Sequence, residues 1–312
     1  MDTVPRRLPR PTARRRVREA QTGLSSRTRL ACPSTCRQSP PQVGDDPAGS
    51  RCVGSPAHAA GPTRRARRRH YFGYEDRYRT VYENGAQLWE SEEPNASLLQ
   101  MIDERPDVFS GQIIDLGCGE GRDSLYLLSQ GHDVVSVDVS HSALARARER
   151  AAAANLNASG FVERDVIHLR GFDDNGFDLA MNMGCLHMLV EEEQRGRHIS
   201  RVYDILRPGG HFIVDHCASE WGKGFFSIPD YTEIAGDLVP GNVISRRIRV
   251  ADSEKEIGLE VLPFSERSGG ALAEEITRHG FSLVSSTHTN TEAFGSSTML
   301  LFRKPTSGKQ TS

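Results

Sequence analysis

The chain has 312 residues, room for one large domain or two modest ones, with 39 basic and 41 acidic side chains and a formal net charge of −2. A near-neutral total argues against a chain committed as a whole to polyanions, and no apolar stretch approaches the ~20 residues that span a bilayer. The total hides a division: residues 1–70 hold sixteen arginines, no lysine and four acids (+12), whereas the rest holds 23 basic and 37 acidic residues (−14).

Residues 1–69, with "PRRLPRPTARRRVREA" and "SPPQVGDDPAGSRCVGSP", are rich in Pro, Arg, Ser and Gly and lack apolar periodicity. Such a segment buries too little surface to offset chain entropy, so it is expected to be a disordered tail or the product of a misassigned start. Arginine runs also bind nucleic acid or act as targeting signals, but the apolar segment that a secretory or twin-arginine signal needs does not follow "RRR". Cys32, Cys36 and Cys52 lie here, and Cys118, Cys185 and Cys217 lie beyond. Their spacings fit neither a zinc site nor a disulfide framework, which predicts a reduced, cytoplasmic protein without a bound metal.

Residues 70–110 read as a helical lid. Tyr71, Tyr74, Tyr78 and Tyr82 recur at spacings of three and four, which places them on one face of a helix. That face either packs on the body of the protein or closes over a ligand, with Trp89 at its end, and the two roles are compatible.

From residue 111 to about 305 short apolar runs alternate with amphipathic ones. "QIIDL", "HDVVSVD", "GFVERD", "FDLAMNM" and "GGHFIVDHCA" read as strands; "GRDSLYLLSQ", "SALARARERAAAAN" and "EEEQRGRHISRVYDIL" read as helices between them. This alternation predicts a Rossmann-like, doubly wound α/β domain: a mostly parallel seven-stranded sheet with helices on both faces. After the fifth strand, "VISRRIRV" and "KEIGLEVL" predict an antiparallel hairpin in a cap spanning about 219–265. A last helix and two final strands follow, then a short disordered tail at 306–312.

Ligands of such sheets bind at the carboxyl ends of the strands, near the switch point. There lies "DLGCGEGRDS", residues 115–124, where Gly117, Gly119 and Gly121 allow a tight turn and close backbone approach to a ligand. A dinucleotide fingerprint needs its third glycine where this chain has Arg122. The acid before the turn, Asp115, suits a ligand bearing a cationic amino group better than one bearing two phosphates.

"DLGCGEGRDS" resembles the first motif of class I S-adenosylmethionine-dependent methyltransferases, and the stretch through "LYLLSQGHDVVSVDVS" is similar to the tellurite-resistance and thiopurine type, which methylate small molecules. The resemblance implies S-adenosylmethionine as cofactor. It makes Asp138 the acid that binds both ribose hydroxyls, a task suited to a carboxylate that accepts two hydrogen bonds in parallel. It makes Asp165 in "RDVIHL" the acceptor for the adenine amino group, with Val166 beside the ring, and adds Cys118, Val139 and Met183 to the cofactor set. "FDLAMNMGCLHML" and "LRPGG" match the fourth strand with its loop and the turn into strand five.

Methyl transfer is an in-line displacement from an activated leaving group, so alignment of the acceptor supplies most of the rate. If the acceptor carries a proton, the base candidates are His187 and His216, whose ordinary pKa near ~6.5 would appear as a limb in the rate–pH profile. Cys185, His187, His216 and Cys217 match no common zinc spacing. Trp221, Phe225, Phe226 and Tyr231 form an aromatic set after strand five, read with Tyr74, Tyr78 and Trp89 as the wall for a flat small-molecule acceptor. A nucleic-acid methyltransferase would show a basic folded surface and an "NPPY"-type loop where this chain has "NMGCLH". A non-catalytic scaffold would not need the glycine turn and Asp138. The chain is read as a monomer or a homodimer.

Overall fold

Ile113, Ile114 and Leu116 are all fully buried, as a central parallel strand covered on both faces requires. In the computed structural model this run is β1 (Gln112–Leu116), flanked in parallel by β2 (Asp133–Asp138) and β4 (Phe177–Met183). The structure describes residues 64–86, 93–216, 241–250, 253–263, 265, 267–291 and 295–306. Trp89, Trp221, Phe225, Phe226 and Tyr231, nearly all of the expected N-terminal tail and most of the expected cap lie outside the described residues.

The sheet has seven strands in the order β3-β2-β1-β4-β5-β9-β8. Strands β1 to β5 are parallel, with β3 at Phe161–Glu163 and β5 at Leu206–His216. The chain ends with β8 (Ser282–Thr291) and β9 (Gly295–Arg303), where β9 runs antiparallel to both β5 and β8. Strand order therefore reverses between β1 and β4, and the crevice of a doubly wound sheet opens at their carboxyl ends.

Helices cover both faces. On one lie α2 (Ala96–Glu104), α3 (Arg122–Ser129) and α4 (His141–Ala153), with Leu98, Met101, Phe109 and Leu127 packed on Ile113, Leu179 and Ile213. On the other lie α5 (Glu192–Ile205) and α6 (Gly269–Thr277), with Ile199, Val202, Leu272 and Ile276 packed on Ile114, Ala180 and Phe212. Each such aliphatic side chain contributes about 1.5–3 kcal/mol by leaving water.

The first helix, α1, spans Arg64–Glu83 and so begins inside the stretch read as tail. The Arg and Ala residues at its start have good helix propensity, which the lack of apolar periodicity conceals. Its tyrosine face packs on the body: Tyr78 and Val81 cluster with Ala143 of α4 and with Ile257 and Leu259 of the hairpin. That hairpin, β6 (Val243–Val250) and β7 (Ser253–Glu260), pairs with itself and not with the main sheet. Its second strand starts two residues earlier than the expected run, because Val250 pairs with Ser253. Among the described residues no helix is long and apolar enough to cross a membrane.

Candidate active site

The turn after β1 is held by its neighbour strand. Gly117 N and Cys118 N both donate to Val137 O (2.8 and 3.0 Å), and Gly119 N donates to Asp138 Oδ2 (2.8 Å). Gly117, Gly119 and Gly121 all have positive φ. A Cβ on Gly117 would lie 2.5 Å from Cys185 Sγ, so glycine is needed there for contact between the β1 turn and the loop after β4. Gly121 opens α3 in the left-handed region.

Asp138 ends β2 and is buried. Besides Gly119 N on Oδ2, it receives Ser140 N on Oδ1 (2.8 Å). Burial pushes its pKa up against the pull of the Ser140, Gly119 and Val139 amides. Each carboxylate oxygen offers two acceptor sites, so the group keeps acceptor capacity beyond these amides for a hydroxyl of a vicinal diol. This chemistry fits the ribose of the cofactor that the turn's resemblance implies. Half-buried Val139 follows Asp138.

Asp115 is also buried, and its Oδ2 accepts from Ser124 Oγ (2.5 Å), which in turn accepts from Ser136 Oγ (2.7 Å). Burial drives its pKa up to about 7 despite the serine. Asp165 follows β3 and stays half-buried. Its Oδ1 accepts from Ile167 N (2.8 Å) and its Oδ2 pairs with His168 Nδ1 (2.6 Å). Strand three is shorter than expected, because Asp165 folds back on its own turn and does not extend the pairing. Val166 is buried in the main core, and Met183 is half-buried at the end of β4.

The loop after β4 is fastened from two sides. Asn182 Oδ1 accepts from Cys185 N (3.0 Å) and Leu186 N (2.7 Å). Its Nδ2 therefore donates to His198 Nε2 (3.1 Å), which leaves Nδ1–H of that ring to donate to Val166 O (2.8 Å). Burial holds His198 neutral, with a pKa down to about 4. From the other side, fully buried Arg195 donates through Nη1 to Leu186 O and Leu189 O (2.7 and 3.1 Å) and forms a bidentate pair with Glu275 (2.7 Å each).

This loop carries His187, and the end of β5 carries His216. Both are buried, and their rings meet edge to face with centroids 5.7 Å apart. The two candidate bases thus stand side by side at the ends of neighbouring strands. Burial, then the neighbouring His216 and Arg195, lowers His187 to about 3; burial, then Arg195 and Arg267, lowers His216 to about 4. Both are neutral imidazoles across the working pH range.

Of the lid tyrosines, Tyr74 lies within electrostatic reach of Cys185 and Asp138, and burial raises its phenol well above its ordinary range. Tyr78, expected on the acceptor wall, packs in the α1–α4–hairpin core. Burial also raises the Cys118 and Cys185 thiols above their ordinary range, so both stay protonated. Among the described residues no group of three or more His, Cys, Asp or Glu side chains is arranged to hold a metal.

Several site residues escaped the motif reading. Glu75 of α1 accepts through Oε2 from Ser140 Oγ (2.7 Å) and Ser142 N (3.2 Å), and through Oε1 from Ser142 Oγ (2.5 Å). Burial raises its pKa, but these serine contacts outweigh that and hold it below the usual carboxylate range. Asn95, the N-cap of α2, donates through its main chain to Asp123 Oδ1 (2.8 Å) and through Nδ2 to Asp215 Oδ2 (2.6 Å). The sequence signals were one acid of the Glu75–Asp76 pair between tyrosines and a cap-type Asn before a helix.

Residues 113–210 match the family model described as a methyltransferase domain. The 2-heptyl-1-hydroxyquinolin-4(1H)-one methyltransferase of Mycobacteroides abscessus is 28% identical over 126 residues, 40% of this chain and 54% of that protein. Thiocyanate methyltransferase 1 of Arabidopsis thaliana is 31% identical over 105 residues, 33% of this chain and 45% of that one. The chain thus spans about half the length of the curated relatives it matches. Among solved structures, Burkholderia thailandensis 1,6-didemethyltoxoflavin-N1-methyltransferase, with bound 1,6-didemethyltoxoflavin and S-adenosylhomocysteine, superposes with a TM-score of 0.52 at 20% identity, covering 81% of this chain and 93% of that one. With its glycine turn set against Asp138 at the switch point of this sheet, the matched stretch, residues 113–210, is a class I S-adenosylmethionine-dependent methyltransferase domain.

Proposed function

We propose that this chain transfers a methyl group to a small-molecule acceptor whose O, N or S nucleophile needs no base at neutral pH. When bound, S-adenosylmethionine supplies an electrophilic methyl group on a sulfonium. The observation that carries the reading is the buried Asp138 carboxylate, bonded to the glycine turn and keeping acceptor capacity beyond its backbone amides. Asp138 would receive the ribose hydroxyls, Asp165 the adenine amino group and Asp115 the amino group of the methionine part.

On the acceptor side, His187 and His216 present neutral rings that accept or donate hydrogen bonds without taking up a proton at neutral pH. That supports an acceptor already ionised or carrying a free lone pair, such as an acidic hydroxyl on a flat heterocycle or a small inorganic anion. The net acidity of residues 71–312 supports such acceptors over nucleic acid, and the Arg195 and Asn182 fastenings support a preformed pocket wall. Alignment within such a wall is a source of effective molarity for an activated methyl group.

Release of S-adenosylhomocysteine in the presence of a 1-hydroxyquinolin-4-one, of thiocyanate, or of bulk RNA separates the acceptor classes. Turnover with RNA alone would overturn the small-molecule reading. Asp138→Ala is expected to weaken S-adenosylhomocysteine binding by about one to two decades, since hydrogen bonds to a charged group are worth ~1.5–3 kcal/mol. Unchanged affinity by calorimetry rules out the ribose assignment.

A further inference from the structure

Ser140 is shared by two acids. Its main-chain N–H donates to Asp138 Oδ1 (2.8 Å), and its hydroxyl donates to Glu75 Oε2 (2.7 Å) while accepting from Ala143 N (3.1 Å) as the N-cap of α4. Glu75 comes from a different element, α1, and also takes both the N–H and the hydroxyl of Ser142. One lid carboxylate therefore spans the turn that leads out of Asp138.

The apolar contacts of Tyr78 and Val81 seat α1 on α4 and the hairpin, whereas the three donors that Glu75 takes on its two oxygens belong to the turn after β2. Glu75 also sets a second negative charge near buried Asp138 and opposes its ionisation. The Ser140 and Ser142 donors nevertheless hold the Glu75 carboxyl below its usual range, and the backbone they belong to is the 138–142 turn.

We propose that Glu75 is a positioning residue for the cofactor's ribose: acting through Ser140 and Ser142, it fixes the turn in which Asp138 presents its free acceptor sites to a vicinal diol. Docking of the lid and recognition of the diol are then linked, because the turn that binds one is braced by the other. This rests on the reading of Asp138 as the ribose acid.

Calorimetry on the full chain tests it with two probes, S-adenosylhomocysteine and its analogue lacking the 2′ and 3′ hydroxyls. Glu75→Ala is expected to weaken S-adenosylhomocysteine about 3- to 10-fold, the scale of one hydrogen bond, and to leave the dideoxy analogue within about twofold of the parent. Glu75→Gln, which keeps one acceptor oxygen for the serines, is expected to recover part of the loss. An equal loss for both probes would overturn the proposal, because a lid that had merely loosened does not distinguish the hydroxyls. Asp138→Ala separates the two readings. If it is impaired while Glu75→Ala is not, only the positioning role fails; if it binds normally, the ribose assignment fails and this inference with it.

Discussion

Burial raises the Asp115 pKa to about 7 despite the hydrogen bond from Ser124. Between the ordinary carboxylate pKa and about 7 the folded chain binds more protons here than the unfolded chain, so this group's contribution to stability falls as pH rises through that window. Asp115→Asn keeps an acceptor for Ser124 and removes the buried charge. At pH 8 its melting temperature is expected to exceed that of the parent, by ~2–4 °C for each kcal/mol recovered, while S-adenosylmethionine binding weakens for want of an anion. A melting temperature no higher than the parent's at pH 8 counts against this account. His187 makes a second residue-scale case. With its pKa near 3, His187→Ala is expected to raise the KM for the acceptor more than it lowers kcat, with no histidine limb between pH 5 and 8 in either protein. A limb near ~6.5 in the parent alone, seen in single-turnover rates, would restore the general-base role.

At the scale of elements, α5 and α6 are joined by an ion pair that also supports the loop after β4. Arg195 is fully buried, and Glu275 answers it with both oxygens. Glu275→Ala leaves a guanidinium in the core without its bidentate partner, and breaking a buried pair in this way costs about 3–5 kcal/mol. Urea unfolding should show that loss as a lower midpoint at unchanged slope, and a shift below ~1 kcal/mol would show that Arg195 finds another acceptor. None of this was legible in the sequence. In "EEEQRGRHISRVYDIL" Arg195 and His198 look like solvated members of a charged helix, and their partners lie 80 and 16 residues away. The strands were legible because they are buried on both faces and run as unbroken apolar stretches, and β4 was read at its observed bounds. The glycine turn and Asp138 were legible because close backbone approach leaves a mark in residue type. Cross-element hydrogen bonds leave none, so Glu75, Asn182 and Asn95 emerged only once the chain was folded. The basicity of His187 depends on burial, which the motif does not encode.

For the molecule as a whole, the cluster of Tyr78, Val81, Ala86, Ala143, Ile257 and Leu259 brings together three segments distant in sequence: the lid helix, the start of α4 and the hairpin. Among the described residues the hairpin pairs only with itself, and a two-stranded ribbon in water is marginal by itself. Its order is therefore borrowed from α1, and that of α1 from it. In amide hydrogen exchange such mutual dependence makes a single cooperative unit: amides of Val81 and of Ile257 should open with one common free energy, below that of the β1–β4 strands. Cutting Val81 back to alanine should quicken exchange along the hairpin as much as along the helix that bears the substitution, and leave the central strands at their former rates. Ligand protection would follow the same grouping, so that an adenosyl ligand held at Asp138 slows exchange in a ribbon it does not touch.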